Sequence, residues 1–180
     1  MIINKIYFQI TGMVMLFFIV LSPLFARGIY QSDKDFLLEV FLNNVPKSNA
    51  IFLTGDLRKS VETILGHPYA SIRIRYWRQE GRSAWILEEV GKMEPITFGI
   101  VIKDNKIEKI KVLAFRERRG SEIRYMAFTQ QFVGATLEGN KLNKNIDGIS
   151  GATLSVWAMK SIAKLSLYLD QYINKVNEKN

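Results

Sequence analysis

Cysteine does not occur anywhere in the 180 residues. Its absence excludes disulfides, thiolate-held iron–sulfur clusters, haem attached through cysteine and a lipid-modified cysteine, so stability must come from packing. Histidine is nearly absent too. His67 alone cannot make a histidine-rich metal site, and its setting, Gly66-His67-Pro68, reads as a plain turn. Any redox role therefore needs an organic cofactor or a metal held without thiolates. The chain also lacks a run of five Lys or Arg, and lacks a basic motif interleaved with aromatics, which argues against nucleic acid as a partner. No alternation of strand and helix patterns announces a parallel sheet. What is present is ample: 48% of the residues are apolar, enough for the core of one domain. Twenty-five Lys and Arg against 17 Asp and Glu leave a net charge of +8, spread along the chain and suited to an anionic partner such as lipid headgroups or a nucleotide cofactor.

The N-terminus bears on compartment. Lys5 precedes the uninterrupted apolar run Met13 to Leu21, followed by Ser22, Pro23 and the small residue Ala26 before Arg27. This is the layout of a secretory signal peptide with cleavage after Ala26. Uncleaved, Ile6 to Phe25 are together long enough to span a membrane, which takes about 20 residues. In either case the remainder is expected in the periplasm or on the extracytoplasmic face of the inner membrane. Losing residues 1–26 removes one Lys and no acid, leaving +7. The chain then divides into a signal or anchor over 1–26, a helical lead-in over 27–68, and a domain over 69–180.

Periodicity supplies the elements. Phe36, Leu37, Val40 and Phe41 predict a helix over 33–43 with Ser32 or Asp33 as its cap, and Leu57, Val61 and Leu65 predict a second over 56–65, stopped by Gly66. From Ser71 to Tyr76 apolar and polar residues alternate, as in a strand with one wet face. Strands follow at 83–88, 96–102 and 107–115, the last two joined by the polar turn 103–106, with another at 122–128. Val156, Met159, Ala163, Leu167 and Leu169 form the core stripe of a closing helix over 152–176. Strands in the middle and helices at both ends predict an α+β fold, a mostly antiparallel twisted sheet flanked by helices.

One tetrapeptide, Gly-Ala-Thr-Leu, occurs twice, at 134–137 and 151–154. The second copy, within Asp147-Gly148-Ile149-Ser150-Gly151-Ala152-Thr153, leads into the closing helix. Ser150 is the expected N-cap, placing Gly151, Ala152 and Thr153 in the first turn. Backbone N–H groups there lack intrahelical acceptors and the helix dipole favours negative charge, so a phosphate near Thr153 would be well held. Gly151 and Ala152, with little or no side chain, let another molecule approach the backbone. The first copy has Gln130 where the second has Asp147. It is followed by Gly139, Asn140 and Asn143, which oppose a helix, so Thr136 is expected at a strand end or in a loop. The 17-residue offset recurs nowhere else, which rules out a repeat architecture. Spacing alone fits an ordinary helix cap as well as a phosphate site.

The whole motif carries more. Asp147, Ser150, Gly151, Ala152 and Thr153 resemble the flavinylation motif of FMN-binding domain proteins, which include the covalent-flavin subunits of the sodium-pumping quinone reductase and the Rnf electron-transport complex. The resemblance extends over Met93 to Tyr172. It implies FMN on Thr153 through a phosphoester bond, moved from FAD by a magnesium-dependent flavin transferase for which Asp147 serves recognition or proton removal. It implies an electron carrier working with a membrane or periplasmic redox partner, rather than an enzyme with turnover of its own.

For the isoalloxazine ring, the segment from Arg116 to Gly120 and the stretch from Tyr125 to Phe132 are the expected surroundings. Glu117, Arg118 and Gln131 are candidate contacts, Arg116 or Arg118 stabilising reduced flavin and Gln131 bonding the ring's carbonyl edge. Tyr125 and Phe132 fit the core better than the cofactor, and so does Trp157, although it shares a helix face with Thr153. Two other functions stay open: a flavin-dependent reductase of a small extracytoplasmic acceptor, and a non-redox surface-binding module using the positive charge.

Overall fold

The computed structural model describes residues 28–177, so the expected signal or anchor segment and its cleavage point lie outside the described residues. A six-stranded sheet in the order β1-β6-β5-β4-β3-β2 forms the frame. Its strands are β1 (Gly28–Ile29), β2 (Asn49–Phe52), β3 (Arg73–Gln79), β4 (Arg82–Val90), β5 (Pro95–Lys103) and β6 (Lys106–Phe115). Every pairing is antiparallel, as the sequence predicts. At the β5–β6 hairpin Asp104 and Asn105 both take positive φ, 51° and 59°. Asp and Asn tolerate that conformation, and two such residues match the right-handed twist of the flanking strands.

Four helices cover the sheet: α1 (Asp33–Val40), α2 (Gly55–Leu65), the single turn α3 (Met126–Thr129) and α4 (Thr153–Asn177). The α2 and α4 helices share one face, where Leu57, Val61, Met159 and Ile162 pack with Trp85, Phe98, Ile100 and Ile110. Helix α1 covers the other, laying Phe36, Leu37 and Val40 on Ala84, Val101 and Leu113. Covered on both sides, β5 is buried from Ile96 to Ile102, which explains its nearly continuous apolar run. The predicted stripe of α4 is buried throughout, and each such large side chain contributes roughly 1.5–3 kcal/mol. One polar link crosses this core. Trp85 Nε1 donates to Ser83 Oγ at 2.9 Å, and Ser83 donates to the Asp170 carboxylate at 2.5 Å, tying β4 to α4. Burial pushes the Asp170 pKa up, and the Ser83 hydrogen bond opposes that shift only in part.

Two expectations change. Residues 27–68 are more than a helical lead-in, because β1 pairs with β6 and β2 with β3 in the same sheet. The strand expected over 122–128 is a 3-10 turn, Ser121–Arg124, followed by α3 and a second 3-10 turn, Gln130–Phe132. Ile123, Phe128 and Phe132 are the buried positions. Separations of five and four suit a coiled path, whereas a strand that buried Ile123 would also bury Tyr125, which is 53% exposed.

The registers also define two ends of the sheet. One carries Gly28, Val90, Pro95 and Phe115, and the other carries the turns at Gly81 and at Asp104–Asn105. Helix α4 runs between them. Its last turns reach the second end, where Asn174 Nδ2 donates to Asn105 Oδ1 at 3.2 Å.

Candidate functional site

The second Gly-Ala-Thr-Leu copy opens α4, as predicted, but two residues later than a Ser150 cap would place it. Ala152 N–H closes a turn onto the Ile149 carbonyl at 3.0 Å, and Gly151 sits at φ +80°. A left-handed residue cannot belong to a right-handed helix, so the helix starts after it. Ala152 takes the N-cap position, its carbonyl accepting from Val156 N–H at 3.0 Å. Thr153 is therefore the first helical residue, and it is exposed. The N–H groups without intrahelical acceptors are those of Thr153, Leu154 and Ser155. A 25-residue helix thus presents its positive end beside an accessible hydroxyl.

The first copy has a different fate. Gly134 N–H donates to the Ile107 carbonyl and Ala135 accepts from Ile107 N–H, so its backbone covers the edge of β6. Thr136 N–H is held by Asn143 Oδ1 at 2.9 Å in a turn before the short hairpin β7 (Leu137–Glu138) and β8 (Lys141–Leu142). No helix points at its hydroxyl.

The segment after β6 does reach the start of α4. Gly120, at φ +92°, is packed so closely against α4 that a Cβ there would lie 2.5 Å from Ser155 Oγ and 3.5 Å from Ala152 Cα. Glu117 is turned the other way and buried. Its Oε1 accepts from the backbone N–H groups of Lys92, Met93 and Glu94 at 2.5, 2.5 and 2.8 Å. Burial alone would raise its pKa, but these N–H groups, with Lys92 nearby, overcome that and hold it below the ordinary carboxylate value. Arg116 reaches the Pro95 carbonyl and Thr97 Oγ1, both at 3.0 Å, whereas Arg118 and Arg119 are exposed. Glu117 and Arg116 thus fasten the β4–β5 turn beneath the site.

Because the Glu117 pKa is depressed in the fold, its contribution is complete above the unfolded value of about 4.5 and lost as pH falls through the folded one. Glu117→Gln should cost about 1–3 kcal/mol near neutral pH. The gap to wild type should close on acidification, read from urea midpoints across a pH series. An unchanged gap at low pH would remove the carboxylate from this role.

On the other side, Gln131 Oε1 accepts from Asp147 N–H at 2.8 Å, and Lys160 Nζ donates to the Ile146 carbonyl at 2.7 Å. Asp147 is held against α4 by these contacts while its carboxylate stays exposed. Gln131 therefore lies beside the motif, with its side-chain carbonyl engaged by backbone. Lys160 was missed, although it lies seven residues after Thr153, two turns along the same helix face. His67 is also more than a turn residue: its Nε2 lies 2.8 Å from Glu89 Oε1.

Of the aromatics, Phe132 is core and Trp85 is fully buried, stacked on Tyr76. Tyr125 is not core. It lies beside Arg124, whose guanidinium also covers Tyr30. With Met126, Gln130 and Val133 it lines a cleft of about 800 Å³ against Lys109 and Lys111. Trp157, expected to be buried, is 62% exposed, with Leu154 beside it at 42%. On this helix the core stripe runs through Val156 and Met159, and position 157 falls outside it.

Among the described residues no group of His, Cys, Asp or Glu is arranged to hold a metal ion, and no helix is long and apolar enough to cross a membrane. The family model of the FMN-binding domain matches residues 91–167, from the β4–β5 turn into α4, with the whole 147–153 motif inside. No curated protein and no solved structure matches the chain.

Proposed function

We propose that this protein, whose residues 91–167 match the FMN-binding domain, carries FMN covalently on Thr153 as an exported electron-transfer carrier. The observation that supports this most directly is the exposed Thr153 hydroxyl at the first position of α4. The free N–H groups of residues 153–155 fit the phosphate, and Gly151 and Ala152 leave the approach open. Loading by a flavin transferase would join the Thr153 oxygen to the FMN phosphorus of FAD, with AMP as the leaving group. The hydroxyl proton would pass to a base, for which Asp147 is this chain's candidate.

Once bound, a flavin accepts electrons in pairs and releases them singly. The protein's own task is to locate and shield it. Thr153 and Trp157 are one turn apart on one face, so Trp157 and Leu154 offer the ring an apolar surface on the outside of the helix. Stacking on an indole quenches flavin emission. Trp157→Leu with full flavin loading should therefore brighten flavin fluorescence severalfold, and unchanged emission would place the ring elsewhere. Glu117, engaged by three backbone N–H groups, is better suited to supporting the site than to touching the ring.

A membrane or periplasmic reductase is the proposed partner, and the outer face of the inner membrane the proposed location. Producing the protein with a flavin transferase, measuring its intact mass and mapping the modified peptide tests the attachment. A bare Thr153 in the presence of active transferase would refute it. Rapid multi-turnover oxidation of the reduced protein by a small acceptor would instead favour the reductase reading.

A further inference from the structure

The end of the sheet that carries Gly28, where the chain joins its apolar N-terminal segment, is also the end at which α4 begins. Gly120, five residues beyond Phe115 of β6, packs on Ala152 and Ser155. This end is unusual in its surface. Ile29, Ile72, Val90 and Met93 are 76%, 64%, 50% and 79% exposed; the registers place Ile29 and Val90 at this rim, Ile72 directly precedes Arg73 of β3 there, and Met93 lies in the β4–β5 turn. Side chains of this size scattered singly need no explanation, but four along one edge do.

Charge identifies what they face. Arg73, Lys92, Arg118 and Arg119 are exposed at the same rim, and none of them has an ion-pair partner among the described residues. Asp33 is exposed on the cleft that Ile29 and Arg73 line, whereas the other carboxylates nearby are committed. Glu88 meets Arg116 and Thr97, Glu89 meets His67, and Glu117 is taken by backbone. Glu94, half-buried, also has an interaction of its own. Isolated apolar side chains interleaved with unpaired cations suit the interface of an anionic bilayer, where the former enter the headgroup region and the latter meet lipid phosphates.

We infer that this rim rests on an anionic lipid surface, holding the first turn of α4 close to the membrane. The inference builds on the membrane-side location proposed above, but not on whether Thr153 carries flavin.

The lack of cysteine makes the test clean. Full-length Met93→Cys and Lys106→Cys proteins, the second at the opposite end of the sheet, are labelled with an environment-sensitive fluorophore. Each is mixed with vesicles of phosphatidylcholine alone or with an equal part of phosphatidylglycerol. A blue shift at position 93 with the anionic vesicles, quenched by nitroxide-bearing lipid and absent at position 106, supports the inference. So does loss of that shift in a Lys92→Glu/Arg119→Glu background. An unshifted label at position 93 on protein that still sediments with vesicles overturns it, since binding would then come from the N-terminal segment. An equal shift with neutral lipid overturns the role of charge. A shift only when membrane proteins are present overturns it in favour of a protein partner. Intact mass on the same samples reports flavin separately, so failure of either reading is distinguishable from failure of the other.

Discussion

Thr153→Ala should abolish covalent flavin when the protein is produced with an active flavin transferase, whereas Thr136→Ala should leave loading at the wild-type level. Both threonines occupy the same tetrapeptide, so local sequence cannot separate them. Their surroundings do. Thr153 is exposed at the start of a 25-residue helix, where a phosphate would meet N–H groups without intrahelical acceptors and the positive end of the dipole. Thr136 is tied to Asn143 in a turn that covers the edge of β6. Since the substitution removes the nucleophile, the expected loss is total, and Thr153→Ser should restore part of it. Intact mass gives the answer directly. Flavin retained on Thr153→Ala, or lost on Thr136→Ala, would contradict the assignment.

Gly120→Ala should be the most damaging small change near the site. The residue holds φ at +92°, and a Cβ would lie 2.5 Å from Ser155 Oγ. Left-handed strain costs about 1–3 kcal/mol, and overpacking a further ~1–3 kcal/mol. Gly66→Ala makes the control, because Gly66 has φ +82° and nothing within 4 Å of the added carbon. It carries strain without the clash. Denaturant midpoints should therefore fall further for Gly120→Ala than for Gly66→Ala, and flavin loading should fall only for the former, as the first turn of α4 is pushed away. Equal midpoints would mean that Ser155 swings aside freely and the contact does not position the helix.

The strand hairpins and both early helices were legible because each rests on a periodicity or a turn within a few neighbours. Ser32, one of the two caps that residue type allowed, caps α1 by accepting from Asp35 N–H, and Gly66 ends α2 in the left-handed conformation, as read from residue type alone. Failures came where a residue's partner is distant. Whether Trp157 is buried depends on which face of α4 meets β4 and β5, and one further turn of the core stripe passes it by. The alternation from Glu122 to Phe128 resembles a strand until Ile123, Phe128 and Phe132 all require the same core. Glu117 looked like a cofactor contact because its segment follows the β5–β6 hairpin and precedes the motif loop, but the carboxylate reaches N–H groups 23 to 25 residues earlier in the chain.

By itself the sequence determined the α+β class and singled out the Asp147–Thr153 motif, which lies inside the match to the FMN-binding domain. Both reside in short-range patterns of side-chain type that the backbone must follow wherever it goes. Only the tertiary structure decided that the helix opens at Thr153 rather than Gly151, that Gly120 backs it, and that the N-terminal exit and an apolar, cationic rim share its end of the sheet. Those depend on how antiparallel registers and one long helix bring remote residues together, and burial and close contact are properties of that assembly.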